Sequence, residues 1–303
     1  MNVPPTVGLL HPGRMGAAVG RELTAEGVRV LWCSAGRSES SARRAERAGL
    51  EAVSELGALL EQASVVISLC PTAAAEATAA SVREAGFAGL FVDANAINPE
   101  RVKRIAADLA GEGIRTADGC VIGPPPRGAE DTHLYLSGQQ QDVEAVADLF
   151  ADTAVVPIRM QGPVGDASAL KMAYGSYQKA ACALAGLAQA LGRVHGVEAH
   201  LTEEARRLAK SPLATPEYLT GVAAKAWRWA PEMLEVSETL AAAGLPAEMA
   251  EAAAAVFDLW EPDKDDSGLS LPEALDRLNA PRVRQARGPG RRSECAQESE
   301  RWA

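Results

Sequence analysis

The segment VGLLHPGRMG at residues 7–16 determines the predicted fold. A short apolar run ends in a turn that contains glycine, and a helical pattern of small residues begins at about Arg14. This order of strand, turn and helix brings the unpaired N–H groups of a helix N-terminus up to a pyrophosphate. Gly13 lets the backbone approach the phosphates, and Gly16 lets the helix pack close to the strand. The residues predicted to contact a dinucleotide cofactor in this turn are His11, Pro12, Gly13, Arg14 and Met15.

The turn departs from the G-x-G-x-x-G pattern at its first glycine, where His11 stands. The residue before a proline is restricted to extended geometry, so Pro12 predicts an extended backbone at His11. A single imperfect fingerprint also fits a glycine-containing turn in any α/β protein. The assignment therefore depends on the strands and helices predicted after residue 16.

Three further apolar segments, 28–33, 63–70 and 90–95, are predicted strands that alternate with helical patterns. This alternation predicts an α/β fold with a parallel, doubly wound sheet. Ligands bind such sheets at the carboxyl ends of the strands. We therefore expect Cys70, Pro71 and Asn95 to border the cofactor.

The segment after the second strand indicates which cofactor binds. Folds that bind NAD(H) place an acid there for the ribose hydroxyls, and this chain has none. Ser34, Arg37 and Ser38 offer a cation and two hydroxyl groups, which suit a 2′-phosphate. The sequence thus favours NADP(H) over NAD(H), with the alternative that Arg37 is only a solvated loop charge.

Residues 166–196 form a long, alanine-rich helical pattern, predicted to be buried almost all round and to join two domains. Lys171, Gly175 and Gln178 share one face of it. A buried lysine is costly unless it is paired or used, and a glycine inside a helix costs about 1 kcal/mol relative to alanine. Both features predict a cleft at this face; the alternative is a lysine that reaches solvent at the helix rim.

Composition sets the remaining limits. We predict a Rossmann domain over 1–163, a helical substrate and dimerisation domain over 164–281, and a disordered tail over 282–303. A net charge of −10 argues against nucleic acid as a partner. With no long apolar run, we expect no membrane association and a cytoplasmic location. The five cysteines are scattered, so no metal site is expected.

The assembled motifs resemble the β-hydroxyacid dehydrogenase superfamily, which includes 6-phosphogluconate and 3-hydroxyisobutyrate dehydrogenases and the related imine reductases. The closest resemblance is to a poorly characterised branch with a helical C-terminal domain like that of 6-phosphogluconate dehydrogenase. The segments that carry it are the turn at 11–16, SLCP at 68–71, DANA at 93–96, DGCVIG at 118–123 and Lys171. The resemblance implies a Rossmann domain, a long interdomain helix, and an all-α C-terminal domain that forms a homodimer.

The resemblance also implies that Lys171 is the general acid when a carbonyl is reduced and the general base in the reverse direction. Two residues depart from the family pattern: Ile122 stands where a serine is expected, and Gly175 where an asparagine is expected. Both positions help hold the substrate, so the usual hydroxyacid is in doubt. The residues expected to border the substrate are Ile122, Gly123, Arg127, Gly175 and Gln178. Arg127 could bind a carboxylate, or it could belong to a stiff surface loop.

The main hypothesis is an NADPH-dependent oxidoreductase that acts on a small carbonyl or hydroxyacid-like substrate. One alternative is an NADPH-dependent imine reductase in which Lys171 only orients the substrate. Another is a protein that binds NADP(H) without turnover.

Overall fold

The structure is a computed structural model that describes residues 5–127, 132–207, 215–242 and 244–279. The tail predicted to be disordered, 282–303, lies outside the described residues. The chain forms one mixed sheet with helices on both faces, followed by a region built from helices. This is the predicted combination of a Rossmann-like domain with a helical C-terminal region.

The sheet has eight strands in the order β3-β2-β1-β4-β5-β6-β7-β8. Neighbouring strands are parallel except β6 and β7, so the last two strands run opposite to the first six. The carboxyl ends of β1 to β6 therefore meet at one edge. The strands are β1 (Val7–Leu10), β2 (Val30–Cys33), β3 (Glu51–Val53), β4 (Val65–Ser68), β5 (Leu90–Asp93), β6 (Arg115–Ile122), β7 (Thr132–Gly138) and β8 (Val155–Arg159).

Helices cover both faces of this sheet because successive strand residues point to opposite sides. Val7 and Leu9 belong to one apolar cluster, while Leu10 belongs to the other. Burial on both faces explains the near-continuous apolar sequence of the central strands. The helices are α1 (Arg14–Ala25), α2 (Glu39–Arg47), α3 (Leu56–Leu60), α4 (Ala75–Glu84), α5 (Pro99–Ala110) and α6 (Gln140–Leu149).

The C-terminal region packs its helices around a separate apolar core. Trp260 is fully buried in it, and its indole Nε1 donates to the Ala274 carbonyl at 2.7 Å. The helices are α7 (Asp166–Val194), α8 (Glu198–Arg206), α9 (Tyr218–Ala223), α10 (Ala226–Ala242), α11 (Glu248–Phe257) and α12 (Leu271–Asn279). No helix among the described residues is long and apolar enough to span a membrane.

A polar contact joins the two regions beside the carboxyl edge of the sheet. Arg101 on α5 pairs with Glu235 on α10, and the Asn98 amide donates to Glu238 at 3.0 Å. The Arg101 and Glu235 side chains are largely buried, so their pairing is shielded from solvent. This contact sets α10 of the helical region against the Rossmann domain.

Two features differ from the sequence-based expectation. The short edge strand β3 was not predicted. Helix α7 is not buried all round in the single chain, because Tyr174, Tyr177 and Leu184 are exposed. The predicted homodimer would cover such a face, and it stays a prediction.

Candidate active site

We call the turn after β1, residues 10–16, the phosphate turn. The expectation of an extended His11 is wrong, because His11 has φ +68°. The Gly13 N–H donates to the His11 carbonyl at 2.7 Å, which closes the turn tightly across Pro12. The fold thus requires left-handed geometry where a glycine is usual, and His11 adopts it at a steric cost.

Gly16 is required by the close approach of α1 to this turn. A Cβ built on Gly16 would lie 2.7 Å from the His11 carbonyl oxygen, closer than real Cβ contacts. No described side chain caps the start of α1, where Gly13 is the N-cap residue. Its first N–H groups therefore suit a pyrophosphate.

A cleft of about 250 Å³ lies beside the phosphate turn. His11 and Arg37 both line it, together with Cys33 at the end of β2. Arg37 forms no ion pair with any described residue. Burial, with a smaller contribution from the Arg37 charge, lowers the pKa of His11 to about 4, so its imidazole is neutral at neutral pH.

The two serines predicted to bind the 2′-phosphate make structural hydrogen bonds. The Ser34 hydroxyl donates to the Val53 carbonyl at 3.1 Å. The Ser38 hydroxyl caps α2 by accepting from the Ser41 N–H at 3.3 Å. Of the three predicted groups, Arg37 is the one placed on the cleft with its charge unpaired in the described chain.

Arg44 on α2 was missed by the sequence analysis. Its Nε donates to the Pro12 carbonyl at 3.2 Å, and its Nη2 donates to the Ser41 hydroxyl at 2.9 Å. Arg44 thereby holds the phosphate turn against α2. It lies among several arginines of one helix, and nothing in its spacing distinguishes it.

Cys70, Pro71 and Asn95 meet at the carboxyl edge of the sheet. The Asn95 Oδ1 accepts from the Cys70 N–H at 2.6 Å, and its Nδ2 donates to the Ser68 hydroxyl at 3.0 Å. The Asn95 side chain therefore fixes the loop that carries Cys70 and Pro71. Its place beside the cofactor stays a prediction.

Lys171 lies on the first turns of α7, against the end of β6. Its Nζ donates to the Val121 carbonyl at 2.7 Å, which places the ammonium beside Ile122 and Gly123. Burial lowers the pKa of Lys171 from its usual value. A lowered pKa makes the ammonium a stronger proton donor.

Asp118 on β6 positions the start of α7, a role that sequence reasoning did not identify. Its Oδ2 accepts from the N–H groups of Gly165 and Ser168, both at 2.9 Å, and its Oδ1 accepts from the Ser168 hydroxyl at 2.7 Å. Lys171 follows one turn later. Asp118 thus fixes the helix end that carries the lysine.

Asp93 stands opposite Asp118 on the neighbouring strand β5. It is fully buried, and its Oδ2 has no hydrogen-bond partner among the described residues. Burial raises the pKa of Asp93 to about 7, and the Asp118 charge acts in the same direction. The carboxyl group of Asp93, beside Asp118, therefore titrates near neutral pH.

The remaining predicted substrate residues are divided between two places. Gly175 is buried on α7, one turn after Lys171, and Gln178 lies against the Tyr218 hydroxyl.

Arg127 is exposed and forms no ion pair within the described chain. The adjacent Pro126 carbonyl accepts from Arg21 on α1, so this loop lies along α1. A carboxylate-binding role for Arg127 stays a prediction.

Two protein families match the chain. Residues 6–162, just over half of it, match the NAD binding domain of 6-phosphogluconate dehydrogenase. Residues 188–260 match a domain of unknown function, DUF1932. No curated protein matches the sequence.

Several solved structures share the fold along nearly their whole length. The conserved protein MTH1747, of unknown function and structurally similar to 3-hydroxyacid dehydrogenases, is 27% identical with a TM-score of 0.63, over 85% of this chain and 97% of its own. Mycobacterium tuberculosis 3-hydroxyisobutyrate dehydrogenase is 19% identical with a TM-score of 0.70, over 92% and 100%. A Streptomyces aurantiacus imine reductase is 20% identical with a TM-score of 0.58, over 89% and 98%.

Proposed function

We propose that this chain reduces a small carbonyl compound with NADPH. The chain belongs to the family of the NAD binding domain of 6-phosphogluconate dehydrogenase and is an NAD(P)-dependent oxidoreductase. Lys171 is the proton donor in this proposal. The observation that carries it is the half-buried Lys171, whose ammonium donates to the Val121 carbonyl at the carboxyl end of β6. Ligands of such sheets bind at that edge.

The described residues divide the work of the reaction. When bound, NADPH would supply the hydride that reduces the carbonyl carbon. The Lys171 ammonium donates a proton to the carbonyl oxygen, which gives an alcohol, and the amine then regains a proton from solvent. In the reverse direction the neutral Lys171 amine accepts the hydroxyl proton. Burial lowers the pKa of Lys171, which reduces the free-energy cost of forming the neutral amine.

The preference for NADPH rests on Arg37. It lines the cleft beside the phosphate turn, where a 2′-phosphate on the adenosine ribose would meet its unpaired charge. No carboxylate stands at the end of β2 to bind the ribose hydroxyls in its place. NADPH should therefore bind more tightly than NADH.

The test is NADPH consumption by the purified protein on a panel of small oxo acids, semialdehydes and cyclic imines. Oxidation driven by carbonyl compounds is the expected result. Oxidation driven by imines alone would move the protein to the imine reductase class. Tight NADPH binding without any oxidation across the panel would point to a protein that binds NADP(H) without turnover.

A further inference from the structure

A second and more deeply buried lysine lies on the same side of α7 as Lys171. Lys179 follows Lys171 by eight residues, two turns along the helix, and Gly175 lies between them. Only 8% of the Lys179 surface is exposed. We call these three residues the lysine face. The proposed reaction uses Lys171 and leaves Lys179 without a role.

The Lys179 ammonium is partly compensated. It pairs with Glu232 on α10 and lies 5.9 Å from the centre of the Trp229 ring, a favourable position for a cation. Burial lowers the pKa of Lys179 well below its usual value, and the charges of Lys171 and Arg228 lower it further. Both cations therefore lie close enough to act on it electrostatically.

The charges in this region do not balance. Lys171, Lys179, Arg228 and Arg14 contribute up to four positive charges, and the carboxylates that act on them in the described chain are Glu232 and Asp265. The Arg228 Nε is also buried without a hydrogen-bond partner among the described residues. Unbalanced buried cations are costly unless an anion accompanies them.

Gly175 leaves space next to the ammonium. A Cβ built on Gly175 would lie 3.9 Å from Lys179 Nζ and from the Val236 side chain, with no other described atom closer. Both distances are ordinary van der Waals contacts, so packing does not require glycine there. The chain thus lacks the side chain that the resemblance leads one to expect, and a lysine ammonium lies beside the position where that side chain would begin.

We propose that Lys179 binds an anionic group of the substrate, a carboxylate or a group of similar charge, while Lys171 serves the carbonyl. The inference rests on the proposed reduction of a carbonyl at Lys171. It makes Lys179 a residue that determines specificity, and it makes an oxo acid the expected substrate. The ammonium of Lys179 donates to the anion from the Gly175 side while Glu232 holds it in place.

The kinetic test compares an anionic substrate with its neutral ester, for example 4-oxobutanoate and methyl 4-oxobutanoate. In the Lys179→Met variant, KM for the oxo acid should rise roughly 10- to 100-fold, the usual loss for a hydrogen bond to a charged group. KM for the ester should stay at the wild-type value. An equal loss for both compounds, or for neither, would overturn the proposal.

Two further variants separate this effect from misfolding. The double variant Lys179→Met/Glu232→Gln removes both charges together, so no carboxylate is left without its partner, and it should show the same selective loss. Lys103→Met changes an exposed lysine on α5 and should behave as wild type. If the double variant recovered the oxo acid preference, the proposal would be wrong.

A binding measurement distinguishes this inference from the proposed function. Saturation-transfer NMR on the protein with NADP⁺ should show that propanoate binds and propanamide does not, and that Lys179→Met abolishes propanoate binding. This result is expected even if no tested carbonyl is reduced. Unchanged propanoate binding in the variant would refute a role for Lys179. Weaker binding of NADP⁺ itself would instead assign the lysine to a cofactor phosphate and also overturn the proposal.

Discussion

The phosphate turn and the lysine face of α7 both depart from the family pattern, but with different consequences. In the turn, His11 replaces a glycine, yet the backbone keeps glycine-like geometry with φ +68°. On α7, Gly175 replaces an asparagine, and a Cβ built there would lie 3.9 Å from the Lys179 ammonium. The predicted phosphate contacts of the turn come from backbone N–H groups, so the substitution at His11 leaves them in place. The substitution at Gly175 removes a polar side chain and therefore changes which groups can bind the substrate.

The largest expected effect comes from removing the proposed proton donor. Lys171→Met should lower kcat by roughly 10²- to 10⁴-fold, the usual contribution of a positioned acid or base. NADPH binding should stay unchanged, because the lysine lies away from the phosphate turn. Steady-state rates and fluorescence titration check both statements. A variant that keeps full activity would exclude Lys171 as the acid.

The next effect concerns the buried carboxyl under α7. In the folded state the pKa of Asp93 is about 7, above the ordinary value of 3.8, so its carboxyl group keeps its proton up to about pH 7. This shift contributes up to roughly 4 kcal/mol to the free energy of unfolding. The contribution is fully present below about pH 4 and is lost as the pH rises to about 7. Asp93→Asn should reduce this slope, and Asp118, whose pKa burial also raises, accounts for a remaining part.

Urea unfolding at several pH values between 4 and 8 measures the effect of Asp93→Asn. The wild-type free energy of unfolding should fall across this range, and that of the variant should fall less. Parallel curves for the two proteins would show that Asp93 is ionised throughout.

A smaller effect is expected on the cofactor side. Arg37→Ala should weaken NADPH binding roughly 10- to 100-fold by removing a charge-assisted hydrogen bond to the 2′-phosphate. NADH binding should not change. The matched control is Arg47→Ala, an exposed arginine on α2. If Arg37→Ala left the ratio of the two dissociation constants unchanged, the argument for NADPH would fail.

The smallest effect is expected at the strained turn residue. His11→Gly removes a left-handed strain of about 1 kcal/mol but adds a similar entropy to the unfolded chain. The free energy of unfolding should therefore change by less than about 1 kcal/mol. Ala18→Gly, within α1, adds the same flexibility without relieving strain and should destabilise by about 1 kcal/mol. Equal losses in the two variants would show that His11 is not strained.

The sequence predicted most of the sheet because its central strands are apolar on both faces. It did not predict β3, which has three residues and no buried one. The position of Lys171 followed from the cost of a lysine in an apolar helix. Lys179 has the same signal, since it shares the helical face of Lys171, but the sequence analysis did not use it.

The other omissions depend on contacts between residues distant in the chain. Arg44 matters because α2 lies against Pro12, and Asp118 because β6 ends beneath α7. No local pattern indicates either contact. The geometry of His11 was wrong for a related reason: the restriction by Pro12 is local, whereas the tight reversal from β1 into α1 is imposed by their packing on the sheet.

The central claim is that this chain transfers hydride from NADPH to a carbonyl carbon, and isotope transfer tests it most directly. The purified protein would be incubated with NADPH carrying deuterium in both C4 positions and with 4-oxobutanoate or the best carbonyl substrate of the panel, and the product analysed by mass spectrometry. The account predicts an alcohol with one deuterium on the carbinol carbon. NADPH oxidation without a deuterated alcohol, or no oxidation by any carbonyl compound despite bound NADPH, would contradict it.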